Sequence, residues 1–388
     1  MVDYSKILNP VVVSMPPSGI RKFFDLLDTM DDVIGLTVGQ PDFVTPWHIR
    51  EEAIASLERG KTYYTSNAGL PLLRQEVCRY LDRRFSLTYD PMHETVITVG
   101  GSEAIQMGLS AILSPGDEVI IPEPCFVCYE PLTRLCGGVP VPVVTRVEDK
   151  FKLRAEELRR VITPRTKCLV LPYPNNPTGA IMTREDLEEI AQVLRDTNIV
   201  ILSDEIYAEM TYNGKHCSIA TLPGMRERTI LVSGFSKSYA MTGWRLGYLC
   251  APEPICRMVL KLHQYAIMCA STTSQYAGVE ACRSGDDDIE NMIGEYDRRR
   301  HYIYEGLRRI GIDVFEPEGA FYIFPDIRRY GMSSEEFCNR LLNEKRCAIV
   351  PGSAFGACGE GFARISYAYS VKHITQALER IDDFVHHL

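Results

Sequence analysis

No apolar run in the 388-residue chain is long and uninterrupted enough to cross a bilayer, which excludes a helical membrane span. The opening residues, Met1-Val2-Asp3-Tyr4-Ser5-Lys6, lack a basic segment followed by an apolar core, so no secretory signal is expected. Positive charge is also in short supply. The 42 Lys and Arg stand against 51 Asp and Glu, a net charge of −9, and no long basic run occurs. That balance argues against general binding to nucleic acid or anionic membranes, while leaving room for a local pocket that takes a small anion. Internal repeats and low-complexity tracts are absent. So is a disulfide framework: the 13 cysteines are odd in number and scattered, as suits free thiols in a reducing cytoplasm. Cys125 and Cys128 form a CxxC with no second pair at zinc spacing, and read as two small apolar residues near a helix start. Hydrophobic residues at 45% and charged residues at 24% are ordinary globular values and disfavour wholesale disorder. At about 150 residues per domain the length suggests two or three domains.

What is present is an alternation of short β-rich runs and longer amphipathic stretches. Strands are expected at 95–99, 118–121, 139–144, 167–172, 199–203, 229–233 and 246–251, with helices at 102–113, 154–162 and 183–197. Cys168-Leu169-Val170-Leu171 and Ile199-Val200-Ile201-Leu202 are continuously apolar, like strands covered on both faces. This alternation predicts an α/β fold with a doubly wound, mostly parallel sheet, whose ligands lie beyond the C-terminal ends of the strands. Further on, helical patterns cover 254–283 and 289–310. Short strands follow around Val314, 321–324, 348–350 and 362–366, with helices at 333–344 and 371–387. These read as a second, smaller α+β unit. The breaker-rich run Ser284-Gly285-Asp286-Asp287-Asp288 marks the boundary. Segment 10–39 has no companion strands of its own and is expected to pack on the smaller unit. The expected division is a large domain, 40–285, and a small domain made of 1–39 with 286–388.

The chemistry should follow the strands. After 95–99 comes Gly100-Gly101-Ser102-Glu103-Ala104, where two glycines and a helix start suit a phosphate, although an ordinary turn and helix cap explain them too. After Leu171, Asn176 lies between Pro174 and Pro177 and offers either a fixed amide or only a rigid turn. After Leu202 comes Asp204, which is costly at the end of a buried strand unless a cation or donor meets it; a helix cap is the alternative. Tyr207 falls on the same side if the chain turns helically there. After Val232, Lys237 sits in a run of small and aromatic residues that solvate it poorly. Desolvation favours the neutral amine that a nucleophile or Schiff base requires, whereas a solvated surface lysine is the plain reading. Arg245, eight residues on, is placed to give charge to a phosphate.

The run 234–247, Gly234-Phe235-Ser236-Lys237 through Trp244-Arg245-Leu246-Gly247, resembles the lysine-attachment signature of class I/II aminotransferases. These are pyridoxal-phosphate enzymes of the aspartate aminotransferase family, fold type I. The resemblance covers about 18–368. It includes Gly39-Gln40-Pro41-Asp42-Phe43, Tyr64-Thr65 with Gly69, Asn176-Pro177-Thr178-Gly179, Asp204-Glu205-Ile206-Tyr207, Gly319-Ala320-Phe321-Tyr322 and Ala363-Arg364-Ile365-Ser366-Tyr367.

The resemblance implies that Lys237 carries pyridoxal phosphate as a Schiff base and that Asp204 keeps the pyridine nitrogen protonated, making the ring an electron sink. It implies that Asn176 and Tyr207 bond the ring's phenolic oxygen and that Phe126 stacks on the ring. Gly101, Ser102, Ser236 and Arg245 would hold the phosphate. Family members often carry a hydroxyl residue three before the lysine, where this chain has Gly234. Tyr64 resembles the tyrosine that reaches the phosphate of the other subunit, which implies a homodimer with shared active sites. Arg364 resembles the arginine that grips the substrate α-carboxylate, with Gly39 and Asn176 completing that pocket. The segment Ser18-Gly19-Ile20 would form part of a lid, with Ile20 near substrate. The implied reaction is ping-pong. Lys237, displaced by the substrate amine, moves the α-proton; a 2-oxo acid leaves, and a second one takes the amino group.

Other readings share this scaffold. A β-lyase would use nearly the same residues, but the surroundings of Gly39 and Arg364 are of aminotransferase type. A sensor module of a transcription regulator needs a basic helix-turn-helix segment, and too few residues precede Ser18 for one. For substrate, 18–24 and the Gly-Phe-Ser-Lys run most resemble a broad-specificity branch, with aspartate and N-acetyl-diaminopimelate aminotransferases also similar. An aromatic amino donor and 2-oxoglutarate as acceptor are expected, with side chains around Ile20, Tyr265 and Phe321 lining the pocket.

Overall fold

The computed structural model describes residues 2–17, 19 and 30–388. Its centre is a seven-stranded sheet built from β2 (Thr95–Thr98), β3 (Glu118–Glu123), β4 (Val139–Val144), β5 (Thr166–Leu171), β6 (Val200–Asp204), β7 (Thr229–Gly234) and β8 (Gly247–Cys250). The strand order is β2-β8-β7-β6-β5-β3-β4. β4, β3, β5, β6 and β7 are mutually parallel, and β8 runs against both of its neighbours. The expected α/β sheet is therefore present, with each strand within two residues of its predicted bounds.

Its two faces are covered as the apolar runs require. Successive side chains of a strand point to opposite faces. On β5, Cys168 and Val170 join one buried cluster with Ala104, Ile105 and Leu109 of the helix Gly100–Ile112. Leu169 and Leu171 join another with Leu187, Ile190 and Leu194 of the helix Arg184–Leu194. That second helix starts at a capping box, Thr183 with Asp186, which satisfies otherwise free backbone donors.

The helix expected over 254–283 is two helices, Glu253–Ala266 and Thr272–Ser284. Between them Met268 adopts a left-handed backbone, φ 74°, a conformation that ends a helix. No glycine or proline announces it. The next helix, Asp286–Ile310, is legible at both ends: three aspartates open it, Arg308 and Arg309 close it, and Gly311 takes the left-handed cap. No helix among the described residues is long and apolar enough to cross a membrane.

The smaller sheet orders β11 (Val350–Pro351), β12 (Ala363–Ser366) and β9 (Tyr322–Ile323), all antiparallel. β1 (Ile34–Gly35) pairs in parallel with β10 (Cys347–Ala348), so the N-terminal segment adds a strand to the C-terminal part of the chain. Val314 forms only an isolated bridge to Pro325, not a strand. The small sheet is seated on the large unit by rings. Phe324 stacks on Phe362 at 5.1 Å, and both meet Phe151 edge-on, at 5.8 and 5.6 Å. This contact leaves Tyr322 and Arg364 turned toward the mouth of the large sheet, where both line one cavity.

Candidate active site

A cavity of about 380 Å³ lies at the C-terminal ends of β2, β3, β5, β6 and β7. Gly39, Gly101, Ser102, Phe126, Asn176, Asp204, Tyr207, Ser236, Lys237, Arg245 and Arg364 all line it. Eleven residues singled out from sequence, spread over 326 positions, thus meet at one place. Tyr64 does not line the cavity of its own chain and is 77% exposed. Ser18 and Ile20 lie outside the described residues.

Asp204 ends β6 and is buried. Its Oδ2 accepts from the Tyr129 hydroxyl at 2.7 Å, and its Oδ1 from Ile206 N at 3.2 Å. No helix begins there, so the helix-cap alternative is not what the residue does. Burial, joined by the neighbouring Glu205 charge, raises its pKa to about 6 against those two donors. Lys237, in the short helix Phe235–Ser238, donates to Gly39 O at 2.5 Å instead of pairing with Asp204. Burial, with the cations of Arg364 and Arg245 nearby, lowers its pKa to about 8. An acid and an amine in one cavity are each moved toward neutrality. Tyr207 lines the same cavity, as a helical turn after Asp204 would require.

The helix Gly100–Ile112 begins at the cavity with no side-chain cap on its first turn. Its open N–H groups and dipole favour an anion. Glu103 accepts from Val99 N at 2.5 Å and pins the entry to that turn. A Cβ on Gly100, φ 75°, would stand 2.8 Å from Arg245 Nη2, so the guanidinium lies directly over the helix start. Arg245 itself holds a left-handed backbone, φ 50°, an uncommon state for arginine of the kind that collects at functional sites. At Gly234 a Cβ would come within 2.9 Å of Gly247 Cα and 3.0 Å of Leu246 O. β7 and β8 approach too closely there for the hydroxyl residue common in the resembling family.

On the opposite wall, Arg364 is buried on β12. Nη1 donates to Asn176 Oδ1 at 2.9 Å and Nη2 to Thr37 O at 2.5 Å. The rings of Tyr322 and Phe355 lie 4.6 and 4.8 Å from its Cζ. Nε is buried without a partner. A buried guanidinium with a spare donor and no carboxylate partner among the described residues is suited to a bidentate anion.

Among the lining residues that the sequence did not single out, Tyr129 and Tyr322 make the polar contacts that matter most. Tyr129, one turn after Phe126, is the donor to Asp204; its spacing of three from Phe126 was the available signal. Tyr322, the first residue of β9, lines the cavity, whereas Phe321 just before it does not, although its ring centroid lies 5.8 Å from Lys237 Nζ. Tyr265 is 88% exposed and lines no part of the cavity, contrary to expectation. All 13 cysteines are free, and no cluster of metal-ligating side chains occurs among the described residues.

Residues 31–381 match the family model described as aminotransferase class I and II. A putative aminotransferase, YugH, of Bacillus subtilis (strain 168) is 50% identical over 379 residues, covering 98% of each chain. An aspartate aminotransferase of Pyrococcus abyssi is 45% identical, covering 94% of this chain and 95% of that one. The crystal structure of an aromatic aminotransferase from Pyrococcus horikoshii superposes with a TM-score of 0.90 at 44% identity, over 94% of this chain and 99% of the other.

Proposed function

Because the chain belongs to the class I and II aminotransferase family, we propose that it transfers the amino group of an aromatic amino acid to 2-oxoglutarate, with pyridoxal phosphate held in the cavity described above. The observation that carries this reading is the meeting of Lys237, Asp204 and Arg364 in that one cavity. The donor set fits the cofactor. Asp204 is a buried carboxylate in no ion pair among the described residues, and a pyridinium N–H would supply the cation. The uncapped turn at Gly101 and Ser102, with Ser236 and Arg245, suits the phosphate. Phe126 offers a ring face, and Tyr207 and Asn176 offer donors to a phenolic oxygen.

Bound there, the cofactor supplies an electron sink for the charge left when the α-proton departs. The chain's own groups do the rest. Arg364, with Asn176 and Gly39, grips the substrate carboxylate and fixes the α-carbon. Lys237, with a pKa near 8, is an amine able to take a proton at the α-carbon and give it back. Asp204 would hold the charge at the pyridine nitrogen of the bound group, and Tyr207 would offer a proton to its phenolic oxygen. Kinetics are ping-pong.

The working form is a homodimer with shared sites. Exposed Trp47, Tyr63, Tyr64 and Tyr265 support it, since large apolar groups in the open need a cover. The large domain is 40–285 and the small domain 1–39 with 286–388, a division supported by the pairing of Ile34–Gly35 with Cys347–Ala348. Free, mostly buried thiols support a cytoplasmic setting.

Aspartate as donor is the second reading, favoured by the Pyrococcus abyssi relative. A donor panel assayed against 2-oxoglutarate separates the two. Phenylalanine and tyrosine should show the highest kcat/KM, and a preference for aspartate or alanine refutes the aromatic assignment.

A further inference from the structure

Tyr322 touches more of the site than any role so far requires. It is buried on β9, 1% exposed, and opposite Ser366, two residues past Arg364 on β12. Its hydroxyl lies 2.7 Å from the Tyr207 hydroxyl. Its ring centroid lies 4.6 Å from Arg364 Cζ. A Cβ on Gly39 would stand 2.3 Å from the same hydroxyl, so glycine at 39 leaves it room, and the Gly39 carbonyl in turn accepts the Lys237 amine.

Two hydroxyls at this distance share one hydrogen bond. If Tyr207 donated to Tyr322, its only proton would be spent and it could offer the cavity nothing but a lone pair. If Tyr322 donates, the Tyr207 proton is free to point into the cavity, and the bond it receives strengthens it as a donor. The nearby Arg364 cation favours this direction by drawing electron density from the Tyr322 oxygen. The same ring face fixes the guanidinium, whose Nε is left free.

We propose that Tyr322 is a positioning residue that joins the two recognition halves of the site: its hydroxyl turns the Tyr207 proton toward the cofactor's phenolic oxygen, and its ring holds Arg364 in the plane that meets the substrate carboxylate. This rests on the roles proposed above for Tyr207 and Arg364.

Removing the hydroxyl and removing the ring should have separate effects. In Tyr322→Phe, the pH midpoint of the visible absorbance of the pyridoxal-phosphate-loaded enzyme should rise by roughly half a unit, because a weaker donor stabilises the phenolic anion less. Its KM for phenylalanine should stay within about threefold of the parent value. In Tyr322→Leu, KM for phenylalanine should rise about tenfold, while turnover of phenethylamine, which has no carboxylate, should match that of Tyr322→Phe. Tyr207→Phe and Arg364→Lys serve as references. If these two move midpoint and KM respectively and the Tyr322 variants do not, Tyr322 is only core and the proposal falls alone. If neither reference moves its readout, the site reading fails and the proposal with it. Equal loss on both substrates in Tyr322→Leu, with an unmoved midpoint in Tyr322→Phe, also overturns it.

Discussion

The two walls of the cavity are built on opposite plans. The large-sheet wall hangs its groups from strand ends, and its carboxyl and its amine are both displaced toward neutrality, Asp204 up to about 6 and Lys237 down to about 8. The small-sheet wall holds one cation, Arg364, clamped by Asn176, Thr37 and two rings. Burial lowers its pKa too, but a guanidinium starts so high that it stays charged. The difference separates two tasks. Groups that must gain or lose protons stand on rigid strands in a poorly solvated place, and the group that only recognises charge is locked against change.

The largest effect should come from the strand-end wall. Asp204→Asn keeps shape and removes charge, and kcat/KM should fall roughly 10³-fold, as for the loss of one member of a buried pair. Steady-state rates with saturating cofactor check this, and a loss under tenfold would remove Asp204 from the mechanism. On the other wall, Arg364→Lys should raise KM for the amino donor by about 100-fold, since an ammonium cannot make the bidentate contact. A matching fall in kcat with unchanged KM would contradict a pure recognition role.

The pH dependence sharpens the contrast. Below about 8, Lys237 is protonated and cannot attack a carbonyl. The rate at which the cofactor-free chain captures pyridoxal phosphate should therefore climb about tenfold per pH unit up to that point and then level off, as stopped-flow absorbance would record. Near pH 6 Asp204 gains a proton, so cofactor affinity should also weaken on the acid side. Tyr129→Phe removes a donor to the Asp204 carboxylate. It should move that acid limb upward and weaken cofactor binding about tenfold, measured by equilibrium titration.

The smallest effect belongs to a control outside both walls. His48 bridges Glu280 at 2.9 Å and Asp288 at 2.8 Å. Burial opposes its charge, but the hydrogen bonds to Asp288 and Glu280 outweigh it, so its pKa is raised above 6.5. A raised histidine stabilises the fold fully below its unfolded pKa and loses that contribution as pH rises through the folded one. His48→Gln should lower Tm by about 2 °C at pH 6, corresponding to about 1 kcal/mol, and by less at pH 9. Kinetics on either wall should not change.

The strand-end wall was legible in the sequence because buried parallel strands leave continuous apolar runs and the chemistry follows each one. That marked Asp204 after Leu202 and Lys237 after Val232 as candidates, each with a plain structural alternative, and the family resemblance gave them their roles. The opposite wall was harder to read. Arg364 came only from family resemblance, since one arginine on the four-residue strand Ala363–Ser366 has no periodic signal of its own. Tyr322 and Phe321 differ by one position, and a two-residue strand beginning at Tyr322 is too short for its side-chain phase to be read from sequence. The break at Met268 was invisible because tertiary packing, not a breaker residue, sets its backbone. Tyr265 was misplaced for the same reason: it lies in the last turn of the helix before that break and faces outward.

The account turns on Lys237 as the residue that takes the cofactor covalently. Borohydride reduction of the pyridoxal-phosphate-loaded protein, followed by peptide mass analysis, tests it directly. The reduced cofactor should be found on the peptide containing Lys237 and nowhere else, with the label absent in Lys237→Ala. Stoichiometric label on another lysine, or none at all, would contradict the account.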